Sequence, residues 1–137
     1  MLKKTMNHKM LKNTLKIAYF LTLFTLTACG LQKPDYLKTI TAAELSTTLQ
    51  SQDVFLLDVH IPQQQHIKGT DLFIPFNAIA DYQAQLPQDK STPIYLYCLG
   101  GPMGVSAART LHELGYTNLI NLEGGSNAWR RAGLPFE

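Results

Sequence analysis

Ile94-Tyr95-Leu96-Tyr97-Cys98-Leu99-Gly100-Gly101-Pro102-Met103-Gly104-Val105, running on to Leu114, is the stretch that decides the fold. Ile94 to Tyr97 is a short run of apolar and aromatic residues, the pattern of a buried strand. Gly100-Gly101-Pro102 breaks it, and Val105 to Leu114 then reads as a helix stopped by Gly115. Strand, cysteine, glycine-rich loop and helix follow one another. In an open α/β sheet, ligands collect at the carboxyl ends of strands, and here that end carries a thiol. A loop folded around the sulfur can turn backbone N–H groups inward, and the helix adds the positive end of its dipole. Both favour the thiolate, which is the nucleophilic form. The alternative is a small buried strand residue with no chemistry, since free cysteine is often buried.

The same alternation extends outward. Val54 to Val59 is an apolar run closed by Asp58, and Leu119-Ile120-Asn121-Leu122 is a third strand. Phe73-Ile74 reads as a short one before Pro75. Thr41-Ala42-Ala43-Glu44 has the form of a capping box and predicts a helix to about Leu49. Asn77 is placed to cap a short helix over Ala78 to Leu86. Gly124-Gly125 turns the chain into a last helix around Ala128-Trp129-Arg130-Arg131, ended by Gly133 and Pro135. Trp129 is read as core, and Arg130 and Arg131 as a solvated helix face. His60, His66 and the run Gln63-Gln64-Gln65 are read as polar loop residues. Strands alternating with helices predict a three-layer α/β domain with a mostly parallel sheet. With 137 residues there is material for one such domain.

Charge is split along the chain. Five of the 12 basic residues precede residue 17, where no acidic residue lies. The remainder carries seven basic against ten acidic residues, so the domain has no electrostatic footprint for nucleic acid. The basic start is followed by an uncharged, mostly apolar run of 12 residues from Ile17 to Ala28. A spanning helix needs about 20 apolar residues, so this run has the length of an export signal. It ends in Leu26-Thr27-Ala28-Cys29, which resembles the lipobox of bacterial lipoproteins. The resemblance implies a signal peptide over residues 1–28 and lipidation of Cys29, which becomes the mature N-terminus. Residues 29–39 are then the lipidated cysteine and its tether, and 40–137 the domain. An uncleaved anchor is the other reading of the same run. Gly30 implies sorting to the outer membrane where there is one, with the domain on the periplasmic side. Once Cys29 is consumed, Cys98 is the thiol that remains, with no internal disulfide partner.

Several segments together resemble rhodanese-like domains. They are Leu56-Leu57-Asp58-Val59; His66-Ile67-Lys68-Gly69-Thr70 with Ile74-Pro75; Tyr97-Cys98 with its loop; Gly115-Tyr116-Thr117-Asn118; Leu122-Glu123-Gly124-Gly125; and Ala128-Trp129 with Ala132-Gly133-Leu134-Pro135. The resemblance implies a central parallel sheet flanked by helices. It also implies a sulfurtransferase in which Cys98 takes sulfane sulfur as a persulfide and passes it to a thiol or other thiophilic acceptor. Leu99, Gly100, Gly101, Pro102, Met103 and Gly104 are then the cradle that binds the substrate sulfur. No charged residue lies from Leu99 to Val105, whereas the family's loops usually carry basic ones, often directly after the cysteine. His60 stands where the family often has arginine, and the Asp58–His66 segment is shorter and lacks the usual acidic residue. Such a loop is expected to bind thiosulfate weakly or to prefer a neutral or apolar donor. A catalytically silent module that binds a sulfur species or a protein partner is the alternative. Related cysteine phosphatases need an arginine six positions after the cysteine, and that place is Gly104. No motif asks for a metal, nucleotide or flavin, and the reading is of a protein without cofactor.

Overall fold

Residues 34–137 are described by the computed structural model, so the export segment and Cys29 lie outside the described residues. Five strands, β1 (Leu37–Ile40), β2 (Phe55–Asp58), β3 (Leu72–Phe73), β4 (Ile94–Tyr97) and β5 (Leu119–Leu122), form one sheet in the order β1-β5-β4-β2-β3. Every strand pair is parallel. Parallel strands need crossovers that cover the sheet, so both faces are buried. Helix α2 (Pro102–Glu113) and a 3₁₀ segment (Ile79–Gln85) pack on one face, and α1 (Ala42–Ser51) and α3 (Gly125–Arg131) on the other. The expected three-layer α/β domain is the fold observed.

Side-chain alternation along the strands divides the core. Leu57, Ile94, Leu96, Cys98 and Leu119 meet Ala107, Ala108 and Leu111 of α2. Leu56, Tyr97 and Leu122 meet Leu45 of α1 and Trp129 of α3. Trp129 is buried, and its Nε1–H donates to the Pro135 carbonyl at 2.9 Å. The capping box at Thr41 forms as expected. The Thr41 hydroxyl accepts from the Glu44 N–H, and Glu44 accepts from the Thr41 N–H at 2.8 Å. The Thr41 hydroxyl also donates to the Glu44 carboxylate at 2.7 Å, and this bond, with that from the Thr41 N–H, lowers the Glu44 pKa from its ordinary value. The Tyr97 hydroxyl bonds the Ile67 N–H at 3.0 Å and Thr70 Oγ1 at 2.8 Å, tying the 67–70 loop to β4. Burial pushes this phenol well above its ordinary value, so it serves as a neutral partner.

Three expectations are corrected. Leu37 to Thr39, read as the end of the tether, belong to the edge strand β1, with Leu37 buried against the sheet. Asn77 does not cap the next segment. The cap is Ala78, without a side-chain bond, and the element is 3₁₀ rather than α-helical, with Ile79 its one buried residue. Helix α2 opens at Pro102, three positions before Val105, because proline suits the first helical turn, where its missing N–H has no partner to lose. Pro102, Met103 and Gly104 therefore belong to a helix and not to a loop. At its other end, the Gly115 and Tyr116 N–H groups return to His112 and Leu111, closing α2 near the expected glycine.

Candidate active site

Cys98 follows the last residue of β4 and is 1% exposed. The chain reverses over Leu99, Gly100 and Gly101 into α2, so the loop proper is three residues long. Gly101 has φ +117, a conformation that side-chain-bearing residues avoid. That conformation brings its N–H to 3.0 Å from the Cys98 sulfur. Among the expected cradle residues, Gly101 supplies this bond. Leu99 and Gly100 form the outer rim, Pro102 and Met103 open the helix, and Gly104 is buried against Asn121 of β5. Leu99 is 38% exposed, one of two large apolar side chains so exposed among the described residues. Residues 99–105 carry no side-chain cation, and the Gly101 N–H is the polar group bonded to the sulfur.

The loop is held from behind by α3. The Ser126 N–H donates to the Cys98 carbonyl at 2.8 Å, and the Asn127 N–H to the Leu99 carbonyl at 3.0 Å. Gly125, at φ +55, lets the two backbones meet this closely; a methyl group there would lie 2.1 Å from the Cys98 oxygen. Arg131 turns back over the same corner, its Nη2 3.4 Å from where a Gly124 methyl would stand. Arg130 stacks on Phe136 with 4.8 Å to the ring centroid.

A second polar cluster lies on the other face of β2. Asp58 is fully buried and accepts from the His60 N–H at 2.9 Å and from the Gln64 amide at 3.2 Å to each oxygen. His66 Nδ1 lies 2.9 Å from the same carboxylate. Gln63 Nε2 lies 3.0 Å from His66 Nε2, on the far side of the ring from Asp58. Gln64 also accepts from the Ser126 hydroxyl at 2.7 Å. A continuous chain of bonds thus joins Asp58 to the residue that holds the Cys98 carbonyl. His66 and Gln64 are polar loop residues, as expected, but half-buried and bonded to the buried Asp58. Their partners lie eight and 62 positions away, and a run of glutamines gives no sign of them. The signal within reach was Asp58 itself, a carboxylate closing a buried strand, which must find donors. Among the described residues no group of three or more His, Cys, Asp or Glu side chains could hold a metal ion.

Known proteins resemble this chain in sequence and fold. The rhodanese-like domain model matches residues 41–132. A sulfurtransferase of Allochromatium vinosum is 32% identical over 87 residues, which are 62% of this chain and 79% of that protein. The thiosulfate sulfurtransferase GlpE of Pseudoalteromonas translucida is 31% identical over 98 residues, 69% of this chain and 90% of that protein. The rhodanese-like domain of an Anabaena protein, solved in solution, has a TM-score of 0.64 at 27% identity, covering 72% of this chain and 77% of that one. The model match over residues 41–132 shows that the chain belongs to the rhodanese-like domain family, whose members similar to it include named sulfurtransferases.

Proposed function

We propose that this protein is a sulfurtransferase that carries sulfane sulfur on Cys98 and works outside the cytoplasm, anchored to a membrane through lipidated Cys29. The contact between the Gly101 N–H and the Cys98 sulfur supports the carrier role most directly. It places a hydrogen-bond donor on the atom that bears the negative charge as thiolate, before sulfur is loaded and again after it has been handed on. With thiosulfate as donor, the thiolate attacks the outer sulfur, the S–S bond of thiosulfate breaks, and sulfite leaves with the electron pair. The product is Cys98–S–S⁻. An acceptor thiolate then attacks the terminal sulfur and takes it as its own persulfide, returning Cys98 as thiolate. Atoms and charge balance in both steps without an external oxidant.

Intact-mass measurement of the purified protein tests the carrier role. Incubation with thiosulfate, a polysulfide or glutathione persulfide is expected to add one sulfur, removable by a reductant. No gain from any donor, in folded protein with Cys98 reduced, sinks the proposal. The anchor rests on the Leu26-Thr27-Ala28-Cys29 sequence. Cys29→Ala is expected to move the protein out of the membrane fraction of the expressing bacterium, and an unchanged distribution refutes lipidation.

The uncharged rim favours a second reading, a module that binds a sulfur species or a partner without turnover. It also sets donor preference. Thiosulfate is a dianion approaching an anionic sulfur with no compensating side chain between Leu99 and Val105. A cation about 4 Å from an anionic oxygen contributes about 1 kcal/mol at a wet surface, which is about fivefold in rate. Leu99→Arg is accordingly expected to raise the rate of thiosulfate loading about fivefold at low salt. An equal gain with an uncharged donor would refute this electrostatic account.

A further inference from the structure

Buried polar side-chain atoms find partners in nearly all folded proteins, and those that do not call for a reason. Among the described residues two lack one: His60 Nδ1 and Asn121 Oδ1. Asn121 stands on β5, two positions after Leu119, so alternation turns its side chain to the Cys98 face of the sheet. It is 6% exposed. Its Nδ2 donates to the Gly101 carbonyl at 3.3 Å. Its Oδ1 is pressed against Gly104, where a methyl group would lie 2.0 Å away. Turning the amide over offers no remedy, because Oδ1 would then face a carbonyl oxygen, acceptor against acceptor. An apolar side chain of similar shape would fill the space and leave no unpaired acceptor. What asparagine adds there is one N–H, directed at one carbonyl.

That carbonyl belongs to the residue that holds the sulfur. Gly101 gives its N–H to Cys98, and its carbonyl also accepts the Val105 N–H that opens α2. Its left-handed backbone is thus tied on both sides, by the thiol at one end and by Asn121 and α2 at the other. We propose that Asn121 is a positioning residue for the Cys98 sulfur: by holding the Gly101 carbonyl it keeps the Gly101 N–H aimed at Sγ. The proposal rests on the reading of Cys98 as a sulfur carrier.

The test uses Asn121→Leu, which keeps the space filled without a donor, and Asn121→Ala, which removes the donor without adding bulk, both in the full-length protein. Three quantities are compared with wild type: the iodoacetamide alkylation rate read on the Cys98 peptide, sulfur loading against donor concentration, and thermal unfolding. Both variants are expected to fold. The maximal loading rate is expected to fall tenfold or more with the half-saturating donor concentration changed less than twofold, and alkylation to slow in parallel. A folded variant with wild-type alkylation and loading overturns the proposal. So does loss of the fold in both variants, which would make Asn121 a residue of the fold alone. If wild-type protein takes no sulfur from any donor, the carrier reading fails, and the alkylation comparison still decides whether Asn121 controls the thiol.

Discussion

Replacing Cys98 with alanine is expected to abolish sulfur loading while leaving the domain folded. The side chain is buried at the end of β4 and packs with Val59, Leu96 and Ala107 in the core cluster beneath α2. Removing one sulfur atom deletes little apolar volume and releases the Gly101 N–H, a change within the range of about 0.5–3 kcal/mol typical of single substitutions. Chemistry is lost outright, because Cys98 is the one free cysteine among the described residues and a persulfide needs a thiol. Intact mass after donor treatment, together with an unfolding curve, separates the two effects. Residual loading on the alanine variant would move the carrier away from Cys98. If the variant retained the biological role of the protein in the cell, the enzyme reading would give way to the binding module.

Gly125→Ala is expected to be the most destabilising single-methyl change at this site, by about 2–5 kcal/mol. Two terms add. A left-handed conformation costs an alanine about 1–2 kcal/mol. An inserted methyl that cannot rotate away costs about 1–3 kcal/mol more. It would meet the Cys98 oxygen at 2.1 Å and the Leu99 carbonyl at 2.7 to 2.8 Å, all of it backbone. Relief requires the loop to part from α3, breaking the bonds from the Ser126 and Asn127 N–H groups. The variant should therefore lose thiol reactivity along with stability, both measurable on one sample by denaturant titration and alkylation. A loss below about 1 kcal/mol would show that the corner is looser than these contacts imply.

Much of this was legible in the sequence, for reasons that can be named. The three central strands are short apolar runs bounded by breakers. The capping box at Thr41 is a local signal that local structure obeys, and the glycines at 115, 124 and 125 fall where the chain turns. What failed to show were features whose causes lie elsewhere in the chain. β1 has one fully buried side chain, Leu37, and exists as a strand because β5 stands ready to pair with it. Gln64 and His66 have partners beyond their own segment. The glycine pair before Pro102 was read as a break followed by loop, although proline after glycine equally opens a helix. That shift moved three expected cradle residues into α2 and left Gly101 to make the sulfur contact. Asn121 gave no hint, being one polar residue in an apolar strand whose purpose lies across the sheet.

The first strand of the sheet pairs with the last. Leu37 lies beside Leu119, and Ile40 beside Leu122, so nearly the whole domain must be synthesised before β1 has a neighbour. Closing so long a loop comes before the contacts that reward it, which makes formation of this sheet a late and comparatively slow event. Until then the edge of β5 stays open and the glycine corner that backs the cysteine has not been made. The backbone bonds from Ser126 and Asn127 that hold the cysteine loop from behind thus form only once α3 has been made.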